Sequence, residues 1–137
     1  MENYMRTGFG QFNEPNDEFL IFAKQFGATD ILLNTPSLPT NNGIWELRDL
    51  VKLRLKIESH GLSLSALENV PTSFYDHIML NGTRRDQQIE NMIITVKNIA
   101  RAGIKILGYN WMPSHVWRTK PKIIRGGASA TAFNYEQ

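Results

Sequence analysis

Residues 85–113 read Arg-Asp-Gln-Gln-Ile-Glu-Asn-Met-Ile-Ile-Thr-Val-Lys-Asn-Ile-Ala-Arg-Ala-Gly-Ile-Lys-Ile-Leu-Gly-Tyr-Asn-Trp-Met-Pro. Ile89, Met92, Ile93, Val96, Ile99 and Ala100 recur at three- and four-residue intervals, which places them on one apolar stripe of a helix. Just upstream, Thr83 and Asp86 stand three apart. At that spacing a hydroxyl accepts from a first-turn amide while the carboxylate reaches back to the start of the helix. Gly103 sits where a helix stop belongs. Residues 104–109 then read as a short apolar strand, and Asn110-Trp111-Met112-Pro113 as a polar-aromatic cluster where that strand ends. A helix, a glycine stop and a buried strand in this order are one unit of a parallel α/β sheet.

The rest of the chain repeats that unit upstream. Residues 4–10 read as a short first strand. Residues 17–26 form a helix pattern: Asn16 and Asp17 offer capping oxygens, Phe19, Ala23 and Phe26 share a face, and Gly27 ends it. An apolar strand follows at 29–33, then a turn-rich loop, 34–43, with Pro36 and Pro39. Residues 45–60 carry two signals. Val51 to Glu58 alternate with period two, as in a strand, whereas Leu47, Leu50 and Val51 fit a helical face and Gly61 fits a helix stop. We read a helix, followed by a strand at 62–67. Beyond Pro113 no period is visible, and the segment with Gly126-Gly127 reads as loop. Strands separated by helices of this length imply right-handed crossovers and an α/β fold with a parallel sheet in sequential order.

With 137 residues, 42% hydrophobic and 20% charged, the chain has the composition of a folded globular domain rather than of a disordered one. No stretch approaches the roughly 20 apolar residues of a membrane span, and the polar, acidic start does not resemble a signal peptide. The absence of cysteine excludes disulfides and thiolate metal sites and fits a cytoplasmic setting. The net charge of +2 is unevenly spread. Residues 1–46 hold six acidic and two basic side chains, and residues 84–125 hold two acidic and nine basic ones. Arg118, Lys120, Lys122 and Arg125 suit an anionic ligand, or a solvated loop beside another element. They lack the interleaved aromatics that favour single-stranded nucleic acid, so nucleic acid is not the expected partner.

In parallel α/β folds, ligands bind where the strands end, because the loops leaving that edge converge there. The segments so placed are Phe9-Gly10-Gln11, Asn34-Thr35, Glu68-Asn69-Val70-Pro71 and Asn110-Trp111-Met112-Pro113. Glu68 ends an otherwise apolar strand, where a carboxylate needs a ligand or a cationic neighbour. Asn110 offers both donor and acceptor to sugar hydroxyls, or else forms a turn. Trp111 and Trp117 suit stacking on a sugar face, or a core position. Arg118 suits a bidentate clamp on a carboxylate, or a surface position. His60 belongs to a helix C-terminus; His77 and His115 lie in loops. No metal-ligand spacing, nucleotide-binding glycine pattern or P-loop is present.

Order and spacing together resemble the mannonate dehydratases over most of residues 5–119. The shared elements are Trp45-Glu46 (Val-Trp-Pro in the family), Leu67-Glu68-Asn69-Val70-Pro71 (Glu-Ser-Val-Pro), the Arg85-Asp86-Gln87-Gln88-Ile89-Glu90-Asn91 helix start, Ala102-Gly103-Ile104-Lys105, Tyr109-Asn110-Trp111-Met112-Pro113 and Trp117-Arg118-Thr119. The resemblance implies an incomplete (β/α)8 TIM barrel, about half, as a single partial domain over residues 1–137. It also implies a lyase that dehydrates D-mannonate to 2-keto-3-deoxy-D-gluconate in hexuronate catabolism. The cofactor so implied is Mn2+ or Fe2+, with ligands from later strands that no position here matches. Glu68, Asn110, Trp111, Trp117 and Arg118 would then line a sugar-acid site, and the barrel would be completed by further chain or by self-association. Two alternatives stay open: a sugar isomerase or epimerase of the xylose-isomerase-like barrels, and a non-catalytic half-barrel or basic binding module.

Overall fold

The computed structural model describes residues 5–114 and 116–136. Tyr4, at the start of the expected first strand, and His115 lie outside the described residues. The first half of the chain runs β1 (Gly8–Phe12), α1 (Asp17–Gln25), β2 (Asp30–Asn34), β3 (Thr40–Asn41), β4 (Ile44–Trp45) and α2 (Leu47–Glu58). The second runs β5 (Ser63–Glu68), α3 (Asp76–Met79), α4 (Arg85–Arg101), β6 (Ile106–Gly108), β7 (Thr119–Ile123) and β8 (Ser129–Ala132). β1, β2, β5 and β6 lie side by side in that order, every neighbouring pair parallel. The expected parallel sheet in sequential order is therefore present.

Asn16 caps α1 by accepting from the Phe19 amide at 2.9 Å, which satisfies one of the free donors of the first turn. Leu20 and Ala23 of α1, Leu50 and Ile57 of α2, and Ile99 of α4 meet Ile31 and Leu33 of β2 and Leu64 and Leu67 of β5 in one core. Burying each large aliphatic side chain contributes roughly 1.5–3 kcal/mol. Gly10 is required by close approach: a Cβ there would run into the Leu32 carbonyl oxygen, so only glycine lets β1 lie this near β2. Gly103 ends α4 at φ +82°, in the left-handed region where L side chains are strained.

Four local expectations are corrected. Trp45 does not open the second helix; it closes the β3–β4 hairpin, fully buried against Phe74, and α2 starts two residues later behind Glu46. The box from Thr83 and Asp86 does not form, since α4 is capped by Arg84 without any side-chain bond. The apolar stripe of α4 mostly faces outward: Ile89, Ile93 and Val96 are exposed, while Gln88, Asn91, Thr95 and Asn98 are buried. These polar residues clasp backbone: Asn98 Nδ2 donates to the Trp45 carbonyl at 2.9 Å and Asn91 Nδ2 to the Asn42 carbonyl. Finally, the segment after Pro113 is not all loop, for β7 and β8 pair antiparallel into a separate hairpin.

Candidate functional site

The strands stop at Phe12, Asn34, Glu68 and Gly108, with Glu68 in register between Asn34 and Gly108. The backbone beyond them stays knitted: the Thr35 amide donates to the Glu68 carbonyl at 2.8 Å, and the Asn69 amide to the Gly108 carbonyl at 2.9 Å. Thr35 and Asn69 both take positive φ, +44° and +65°. Asparagine tolerates that conformation, but a β-branched threonine is strained there by about 1–3 kcal/mol, and such strain gathers at functional corners.

Side chains then converge on this edge. The Gln11 carboxamide donates to Glu68 Oε2 from across the sheet. Among the described residues Glu68 has no salt-bridge partner, so its charge is met by a neutral donor and not by a cation. Asn34 Oδ1 accepts from Thr35 Oγ1 at 3.0 Å and from Asn69 Nδ2 at 3.3 Å. Tyr75 donates its hydroxyl to Asn110 Oδ1 at 3.4 Å and stacks on Trp111, with ring centroids 5.7 Å apart. Tyr75 and Asn110 stand between two hollows. One of about 240 Å³ carries polar groups from Thr35, Asn69 and Thr72. The other, of about 210 Å³, is walled by Val70, Met92, Val96 and Leu107 and is wholly apolar.

Of the residues singled out by sequence, Asn110 and Trp111 therefore come together, and Glu68 stands two strands from Gln11 on the same edge. Trp117 and Arg118 stand at the foot of the β7–β8 hairpin, exposed, and line neither hollow. Gln11, Asn34 and Asn69 lay in segments that the strand-end rule selects, yet nothing in the sequence distinguished their side chains. Tyr75 follows the short 3-10 turn Thr72–Phe74 and had no signal at all.

The histidines have other tasks. His60 places Nδ1 3.0 Å from the Lys56 carbonyl, at the end of α2 as expected. His77 Nε2 accepts from Arg84 Nε at 3.1 Å, on the flank where α3 meets α4. Beside it, Asp76 has its carboxyl held below the usual carboxylate range. The Gln88 amide is the main cause, partly opposed by burial, and the His77 backbone amide adds to it.

An α/β sheet with amides, a tyrosine and an indole gathered at its carboxyl edge defines a protein that takes a small polar ligand at its strand ends, as the barrel enzymes do. The comparisons narrow that class. The chain belongs to the D-mannonate dehydratase family, whose sequence model matches residues 5–137. It is 38% identical over 74 residues to the mannonate dehydratase of Thermotoga petrophila, covering 54% of this chain and 20% of that protein. It is 30% identical over 94 residues to that of Geobacillus thermodenitrificans, covering 69% of this chain and 25% of that protein. The crystal structure of mannonate dehydratase from Streptococcus suis serotype 2 superposes with a TM-score of 0.81 at 25% identity, over 98% of this chain and 38% of that one. The chain thus spans well under half of the relatives it matches.

Proposed function

We propose that residues 1–137 form one partial domain, the first four strands of a (β/α)8 barrel, and that its strand ends supply part of the wall of a sugar-acid site. The reaction so served is dehydration of D-mannonate to 2-keto-3-deoxy-D-gluconate in hexuronate catabolism, in the cytoplasm. The observation that carries this reading is the Tyr75–Asn110–Trp111 group beside the polar hollow. Carboxamides both donate to and accept from hydroxyls, and an indole face covers the C–H side of a sugar. Glu68 adds a carboxylate acceptor whose charge is not neutralised, and Arg118 a cation for the substrate carboxylate. Among the described residues, no three His, Cys, Asp or Glu side chains gather to hold a metal ion, so they do not fit the divalent cation, Mn2+ or Fe2+, that the resemblance implies. No step through a metal is derived for this chain. Its part is binding and orientation.

The test has two arms. Titrating the chain with D-mannonate while recording amide resonances should shift Asn69, Tyr75, Asn110 and Trp111, and Asn110→Ala should abolish those shifts. D-Xylose should produce none; shifts with xylose alone would favour the isomerase reading and overturn ours. In the second arm, the chain alone should form no keto-deoxy acid from D-mannonate with added manganese. Turnover by the chain alone would refute the division of labour proposed here.

A further inference from the structure

Two surfaces of this chain are unpartnered, and they are complementary. On the β1 flank, the rings of Phe9, Phe12, Phe19, Phe22 and Phe26 form a chain of contacts with centroids 4.5–5.8 Å apart. Yet Phe19 is 44%, Phe22 45% and Phe26 74% exposed, so the strip faces outward along α1. Contiguous aromatic surface of this kind marks an interaction site. Glu14 and Glu18 rim its upper end, beside the N-terminus of α1, and make no salt bridge among the described residues.

On the opposite flank, the β7–β8 hairpin leaves the carboxyl end of β6 and packs chiefly on itself. A two-stranded ribbon alone is marginal in water. Ile123 and Phe133 are 74% and 61% exposed, and Lys120, Lys122 and Arg125 have no acidic partner among the described residues. Below the hairpin, Ile89, Ile93 and Val96 leave the outer face of α4 uncovered. One flank is acidic and aromatic; the other is basic and aliphatic.

The two cannot meet within one molecule, because β1 and β6 are opposite edges of the sheet. They can meet between two. Both the hairpin and the acidic rim stand at the carboxyl end of the parallel strands. A rotation by half a turn about an axis along the strands therefore keeps them at the same height. We infer that two copies of this chain associate about such an axis, the hairpin of each lying on the Glu14–Glu18 rim and the α4 face of each on the α1 aromatics of the other. The same rotation sets the free edge of β6 beside the free edge of β1 in parallel, which covers both unpaired edges and closes a two-fold assembly. This inference does not depend on the reaction proposed above.

Sedimentation velocity of the chain should show a dimer that dissociates as salt is added, since the rim contacts are solvent-exposed charges. Lys120→Glu with Lys122→Glu should weaken dimerisation at least about tenfold, as should Glu14→Lys with Glu18→Lys, by setting like charges opposite each other. Combining both pairs should restore it. All four sites are exposed, and far-ultraviolet circular dichroism checks that each variant folds. If a reversal unfolds the chain, the glutamine substitutions at Lys120 and Lys122 replace it and should give a smaller loss in the same direction. A monomeric wild type, a dimer indifferent to either pair of changes, or a combination that does not recover would each overturn the proposal.

Discussion

Asp30 begins β2, at the end of the sheet away from the candidate site, and is buried. Thr29 donates its hydroxyl to Oδ2 at 2.6 Å, Ser65 donates to Oδ1, and the Arg6 guanidinium stands 3.2 Å away. Burial pushes the carboxyl up, but the two hydroxyls and the cation together outweigh it, so the folded value lies below the usual one. A depressed carboxyl stabilises the fold above its unfolded value, near pH 4, and loses that contribution as pH falls through the folded value. Asp30→Asn should therefore cost about 1–3 kcal/mol at neutral pH. Its melting curve should approach that of the wild type as pH is lowered below about 4. Melting temperatures that stay equally far apart at every pH would show that the ionised form contributes nothing.

At the scale of the element, α4 carries the argument because it inverts its own sequence pattern. Its aliphatic residues point out and its amides point in, since the neighbour it meets is the β3–β4 hairpin with carbonyls at Asn42 and Trp45 to satisfy. Asn98→Ala should destabilise the chain by about 1–3 kcal/mol by leaving the buried Trp45 carbonyl unpaired. Lys97→Ala, on the exposed side, should stay within about 0.5 kcal/mol. Thr95 is a sharper case: fully buried, its hydroxyl has no partner. Thr95→Val keeps the shape and removes an unsatisfied group, so urea unfolding should show a gain of about 1 kcal/mol. A loss would mean that the hydroxyl is bonded. The same helix shows what sequence periodicity can and cannot say. A 3.6-residue rhythm fixes that residues 85–101 are helical, whichever face is buried. The choice of face depends on what packs there, and two short strands at Thr40–Asn41 and Ile44–Trp45 carry too few residues to announce themselves. The β7–β8 hairpin was hidden for a related reason, since Pro121 and two glycines mask a period that is only five and four residues long.

Across the whole molecule, the parallel order was legible because each strand is followed by a glycine- or proline-marked loop and a helix, and chain connectivity then leaves one handedness open. The candidate site was legible as an edge and not as a set of atoms. Glu68 and Asn110 announced themselves as polar residues ending apolar runs. Tyr75 did not, because it reaches the site from a corner that lies outside every strand. The same division between sheet and appendage governs stability. The core cluster draws on residues from Phe9 to Leu107 and on none beyond, while β7 and β8 form a sheet of their own. Ending the chain at Ser114 should therefore leave the urea midpoint of the core unchanged in solutions dilute enough to hold monomers. The truncation should at the same time remove association, since the hairpin supplies the basic half of the proposed contact. The transition should remain single, as expected for one cooperative core. A lower midpoint in the truncated monomer would mean that the hairpin props the core from within the same molecule, and the basic residues would then have to be explained by contacts inside the chain and not between copies.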